Sequence, residues 1–331
     1  MTPLAAGVRR RALIIGGLAA TLLVAVYVLA VWTSAGQRFE DAVLKAATLA
    51  AGSPDGLRAA RTLHTITNAS LAGAVIAVLA IGLLRRKLVL GFLGAGVIAA
   101  SVVTVEILQR SVLRPVLLAT GNRREDQSFP SGHTAIAMSV MCALVLVAPY
   151  RGRGAAVFLT SLWAASVGVA AVTADWHRPS DTIGSDLVVV IYTCTAVAVL
   201  AWSGRVSEVT LPTTAGRAAR GLLAGVYGVT TLLAFGVAVV VRGVVGGPAL
   251  TAGRAVALFG SAAVALTLLG LLGRVDLSAP PPGAGSGATA PTWPRSPLAR
   301  RTSCGTAGTE SPRPPQTTVP SGRRPVQTGP G

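Results

Sequence analysis

FPSGHTAIAMSVMCALVLVAPYRGRGAAVFLTSLWAASVGVAAVTADWHRPSD, residues 129–181, holds two apolar runs, 133–149 and 154–174, joined by a turn that carries Arg151 and Arg153. Each run is close to the ~20 residues a helix needs to cross the hydrocarbon core of a bilayer. Two crossings return a chain to the face it left. The polar clusters at the two ends, Ser131-Gly132-His133 and His177–Asp181, therefore emerge on the same side of the membrane, whichever way round the protein sits.

The flanking sequence repeats this pattern. Further apolar runs lie at 12–32, 67–84, 88–108, 182–202, 221–241 and 255–272. The 331-residue chain is 52% hydrophobic and only 12% charged, with a mean hydropathy of +0.63. A soluble domain carries about 25% charged residues, so this chain lacks the charge to coat a water-facing globule. Glycine and alanine are abundant, which suits helices that pack closely in lipid. The expectation is an all-α integral membrane fold: a six-helix core with two additional C-terminal transmembrane helices.

Charge placement gives the orientation. The net charge of +17 sits in short clusters between the runs, such as Arg9–Arg11, Arg85–Lys87 and Arg151 with Arg153, and in the tail. Dense basic clusters in short loops mark the cytoplasmic side, which puts both termini in the cytoplasm and the two histidine clusters outside. Basic residues interleaved with stacking aromatics are lacking, so nucleic acid is not an expected partner. Cys142, Cys194 and Cys304 form no spaced pair that would indicate a disulfide framework or a zinc site. The excess of arginine over lysine reads as the coding bias of a high-GC bacterial genome.

The chain divides accordingly. Residues 1–11 form a cytoplasmic N-terminus, and 12–66 hold the first span and an outer loop with an amphipathic stretch around 39–51. Residues 67–202 form the core and 203–272 the two additional spans. The tail, 273–331, holds 12 of the 20 prolines and cannot bury enough apolar area to fold. The first run, about 21 residues without a clear cleavage site, reads as an uncleaved anchor rather than a secretion signal.

Residues 109–132, QRSVLRPVLLATGNRREDQSFPSG, form the most polar stretch of the apolar body. Arg114 and Arg178 offer planar donor forks suited to phosphate. Ser131, Gly132 and His133 open an apolar helix, whose unpaired N–H groups favour an anion. His177 and Asp181 stand four residues apart, a spacing that puts both on one face of a helix and lets the carboxylate hold one ring nitrogen.

The blocks PSGH and H-x-x-x-D, in this order and with this membrane spacing, resemble the type 2 phosphatidic acid phosphatase superfamily of membrane lipid phosphatases over roughly residues 60–200. The resemblance implies that His177 attacks phosphorus, Asp181 orients it, and His133 protonates the leaving alkoxide and then helps activate water. It implies that Ser131, the Gly132 amide and Arg114 hold the phosphoryl oxygens, with Arg178 as a further phosphate contact. It implies no cofactor and no metal, and a lipid phosphate or diphosphate in the bilayer as the substrate.

Two family cations are displaced or absent. The family's first block has a lysine shortly before Arg-Pro. With Arg114 as the motif arginine that position falls on Ile107. In an alternative register, where Arg114-Pro115 opens an R-P-R-P form, it falls on Gln109, and Val116 takes the second arginine position. The third block's arginine, six residues before its histidine, is Ala171, with Arg178, Arg110, Arg123 and Arg124 as candidate replacements. Glu106 is expected to pair with Arg110, Asp186 to support the site from within a span, and His64 to be an ordinary interfacial residue.

The leading reading is a lipid phosphatase acting at the outer leaflet. A lipid phosphotransferase, and a non-catalytic lipid-binding or transport-associated protein, are its alternatives. The C-terminal spans fit either a homo-oligomer interface or a wall of lipid entry.

Overall fold

In the computed structural model, the described residues are 2–118, 129–209 and 247–277, with the isolated positions 218, 221, 222 and 225. They are almost entirely helical: α1 (Pro3–Val31), α2 (Ser34–Ala50), α3 (Pro54–His64), α4 (Asn68–Leu84), α5 (Leu88–Ser111), α6 (Gly132–Val147), α7 (Tyr150–Thr173), α8 (Pro179–Trp202) and α9 (Gly247–Leu272). Five of these, α1, α5, α7, α8 and α9, are long and apolar enough to cross a membrane. The pair α3 and α4, bent by 58°, passes the same test together, whereas α6 is an apolar helix of 16 residues. Several apolar helices of this kind make a multi-pass membrane protein. The expected run at 221–241 and the tail beyond 277 lie outside the described residues.

Capping chemistry sets the helix starts. Thr2, Thr33 and Ser53 each accept a hydrogen bond from a backbone N–H of the first turn, and Thr67 and Ser70 form a reciprocal capping box at α4. The amphipathic helix expected around 39–51 lies within capped α2, and a second capped helix, α3, stands where the rest of 34–66 was expected to be a polar connection. Burial falls on one face of α2, where Val43, Ala46 and Ala47 pack with Val172 of α7 and with Leu250 and Ala257 of α9.

The centre of the bundle is α6, α7 and α8, with α1 laid antiparallel along α8, where Gly16 meets the Cys194 side chain. The last helix is not an appendage. Gly253 of α9 leaves room for Val43, Pro179 and Val172, where an added Cβ would come within 2.5 Å of Val43. One helical stretch further on, Gly260 faces Ile183 and Asp186 of α8, so α8 and α9 run parallel and in register. At the opposite end, buried Arg153 donates to the carbonyls of Leu272 (3.2 Å) and Val275 (2.6 Å). There a short antiparallel ladder pairs β1 (Ser207–Glu208) with β2 (Val275–Asp276). An arginine in the first turn of α7 thus holds the end of α9.

Candidate active site

The N-termini of α6 and α8 are locked together by their own backbone. The Ser131 N–H donates to the Asp181 carbonyl at 2.9 Å, and the Ser185 hydroxyl reaches the carbonyls of Ser131 (2.6 Å) and Asp181 (3.0 Å). Gly184 is required at this contact, since a Cβ there would meet the Phe129 ring at 2.7 Å. This junction brings the second and third blocks together. The rings of His133 and His177 have centroids 6.3 Å apart.

His177 is not on the helix. It stands in the turn before α8, and the helix begins at Pro179. The pairing expected from a shared helical face is made by this turn instead. Asp181, at the third position of α8, accepts the Arg178 backbone N–H on Oδ2 at 2.9 Å, and the same oxygen lies 3.6 Å from His177 Nδ1. The turn is closed by the Ala171 carbonyl, which accepts the N–H groups of both Trp176 (3.2 Å) and His177 (3.1 Å). Asp175 takes the left-handed conformation there, with φ of 64°. Asp181 is fully buried, so its charge is shaped by its immediate partners rather than by water.

Arg114 reaches this carboxylate from the first block, with Nη1 3.6 Å from Asp181 Oδ1. Its extended segment is docked onto α1 and α2. The Tyr27 hydroxyl donates to the Leu113 carbonyl (2.6 Å), and Gln37 donates to the Pro115 carbonyl (2.6 Å) while accepting the Leu117 N–H (3.1 Å). Gln109 donates to the Pro130 carbonyl and lies beside Gly132, whereas the Ile107 side chain is 56% exposed on the outside of α5. Gln109 therefore holds the place nearest the second block, and Val116, 63% exposed, supplies no substitute cation.

Ser131 is buried as the N-cap of α6, with its hydroxyl near the Thr134 N–H (3.4 Å) and hydroxyl (3.1 Å). Gly132 and His133 are half-buried beside it. Arg178 is also buried, and desolvation lowers its pKa below the usual arginine value. Ala171 is fully buried in the core, so the third-block position holds no charge. Arg110 is exposed and pairs with Glu106, as expected, away from the histidines. Arg123 and Arg124 lie outside the described residues. Asp186 is buried one to two turns below Asp181, beside Gly260.

Three further residues stand close to this site: Glu40 and Asp41, which the sequence did not single out, and His64, expected as an ordinary interfacial residue. Glu40 of α2 binds Arg114 through one carboxylate oxygen and accepts the Ser180 N–H on the other at 3.1 Å. Burial raises its pKa from 4.5 to about 7, with Arg114 opposing the rise. Its neighbour Asp41 lies 3.6 Å from Arg178. His64 packs edge-on against Trp176 at 5.1 Å, and Trp176 in turn packs against His133 at 5.2 Å, so His64 is tied to the site through an aromatic spacer. Nothing local singled these acids out: Glu40 has no basic residue three or four positions away, and Asp41 has Arg38 and Lys45 at that spacing, as an ordinary surface acid would.

An imidazole beside a carboxylate, a second imidazole opposite and two arginines close by form an arrangement suited to transferring a phosphoryl group. No curated protein and no solved structure matches the chain. The family model described as PAP2 superfamily matches residues 88–207, which contain all three blocks. This segment, with its paired histidine clusters, is therefore similar to the PAP2 superfamily, whose members are phosphatases.

Proposed function

We propose that the protein is a lipid phosphate phosphatase that works through a phosphohistidine on His177, at the extracytoplasmic face of the membrane and without metal. The observation that carries this reading is the convergence of His177, Asp181 and His133, each from a different element. In the first step, His177 Nε2 attacks phosphorus and the bond from phosphorus to the lipid oxygen breaks. His133, as its imidazolium, gives the leaving alkoxide its proton. In the second step, water attacks the phosphohistidine while His133 takes a proton back, which frees His177 and releases phosphate. Asp181 keeps the proton of His177 on Nδ1 and stabilises the ring as it gains charge.

The Gly132 amide, Arg114 and Arg178 are the proposed phosphate contacts, with Ser131 holding the turn that aims Gly132. These groups stabilise negative charge on the phosphoryl oxygens, which is the main requirement of this chemistry. The orientation rests on the arginine clusters at the opposite end of the bundle, including Arg153. A diphosphate would use the same attacking nitrogen with a phosphate as the leaving group.

The test is phosphate release by the purified full chain in detergent with EDTA present, from phosphatidic acid, phosphatidylglycerol phosphate and a polyprenyl diphosphate. Release by the wild type that is lost in both His177→Ala and His133→Ala supports the reading. Release that survives His177→Ala, or that disappears with EDTA and returns with a divalent metal, contradicts it.

A further inference from the structure

Glu40 is held by two donors of the kind that bind anions. Its two carboxylate oxygens span the Ser180 N–H, in the first turn of α8, and the Arg114 guanidinium. A backbone N–H at a helix start together with an arginine fork is the donor set that binds an anion. Asp41, the next residue, faces Arg178. Both arginines assigned to phosphate are thus already faced by carboxylates from α2, an element outside the matched segment 88–207.

The charges around Glu40 are few enough to count. Arg114 comes from the segment after α5, Arg178 and Asp181 from the start of α8, Asp41 from α2 itself, and His177 from the preceding turn. Arg38 and Lys45 lie on the exposed face of α2. Asp175 is engaged by Thr48 at 2.9 Å, and Arg254 of α9 by Thr173 at 2.9 Å. Among the described residues at the site itself, two arginines therefore meet three carboxylates. The positions where the family pattern carries its lysine, Ile107 or Gln109 according to register, and its third-block arginine, Ala171, hold no charge. A site with this balance repels a second negative charge on its ligand.

Resting on the phosphatase reading, we propose that Glu40 is a specificity-determining residue that restricts this site to phosphate groups carrying a single negative charge. Two lipid sources have that chemistry: a phosphodiester, which is monoanionic at any working pH, and a phosphomonoester that keeps its last proton. A monoester loses that proton near pH ~6, so at alkaline pH only the diester qualifies. Glu40, raised to about 7, is uncharged at acid pH and charged at alkaline pH, which sharpens the same discrimination. A diester bound here has an alcohol on each side of phosphorus. After attack by His177 one P–O bond breaks and that alcohol leaves with a proton from His133; the phosphoryl group bearing the other alcohol stays on His177 until water or an acceptor alcohol attacks its phosphorus, giving its proton to His133 as the N–P bond breaks.

The experiment is titration calorimetry of the full chain in detergent, carrying His177→Ala to silence turnover, with and without Glu40→Gln. The two probes are dihexanoyl phosphatidic acid, a monoester, and dihexanoyl phosphatidylmethanol, its methyl diester, each at pH 5 and pH 8. With Glu40 present, the diester is expected to bind at least tenfold more tightly than the monoester at pH 8, and within about threefold of it at pH 5. Glu40→Gln is expected to bring the pH 8 ratio within about threefold.

Equal affinities at pH 8 with Glu40 present overturn the proposal, and that comparison stands even if Glu40→Gln does not fold. A ratio at pH 8 left unchanged by Glu40→Gln overturns it, as does an equal weakening of both probes, the signature of a mere clamp on Arg114. Binding of neither probe at either pH removes the phosphate-site reading itself.

Discussion

Nδ1 of His177 lies 3.6 Å from Oδ2 of Asp181, and that same oxygen accepts the Arg178 N–H at 2.9 Å. One carboxylate thus caps α8 and faces the imidazole at once. The two duties separate in Asp181→Asn, which keeps an oxygen for the cap but offers His177 no charge. The expected result is a folded protein with a melting temperature within a few degrees of wild type and kcat lower by about a hundredfold or more. An unchanged kcat would remove Asp181 from the mechanism.

Gln109 lies beside Gly132, at the position where one register of the first block has the family's lysine. A lysine there can still donate to the Pro130 carbonyl, and it adds a positive charge beside the second block. Gln109→Lys is therefore expected to lower KM for a phosphomonoester by roughly threefold to tenfold, which corresponds to about 1 kcal/mol. The steady-state rate measured against substrate concentration checks this, and the effect should shrink in high salt.

Burial raises the Glu40 pKa from 4.5 to about 7, so the folded protein holds that proton more tightly than the unfolded chain does. The favourable contribution is complete below the unfolded value and is lost as pH rises through the interval from 4.5 to about 7. Glu40→Gln removes the titration. Melting curves in detergent are expected to show wild type losing stability relative to Glu40→Gln between pH 5 and pH 8. Parallel curves across that range would contradict this.

Gly253 sets the distance of α9 from the site, because a Cβ there would lie 2.5 Å from Val43 and 3.2 Å from both Pro179 and Val172. Gly253→Val overpacks this junction at a cost of about 1–3 kcal/mol and moves α9 or α2. Both the melting temperature and kcat are expected to fall. Gly270, near the far end of α9, has nothing within 4 Å of its Cβ position, so Gly270→Ala should leave both unchanged.

The sequence carried most of the core because the bilayer imposes a length on apolar runs, and seven of the eight expected runs coincide with helices. The meeting of His133 and His177 was legible for the same reason, since two crossings leave little freedom about where their ends emerge. The pairing of His177 with Asp181 was legible in identity but not in form. Pro179 fixes the helix start two residues after His177, so a turn makes the contact. Glu40 and Asp41 were not legible, since their partners lie more than 70 residues away and nothing local marks an acid as buried. The tie between α9 and the site was hidden too, because it consists of a glycine accepting side chains from three other helices.

The central claim is a covalent phosphohistidine on His177. Rapid acid-free quenching of the full chain with phosphate-labelled lipid, followed by peptide mapping, measures it directly. The account predicts a base-stable, acid-labile phosphoryl group on the peptide containing His177, longer-lived in His133→Ala and absent in His177→Ala. Label on any other residue, or turnover of labelled lipid by His177→Ala, would contradict it.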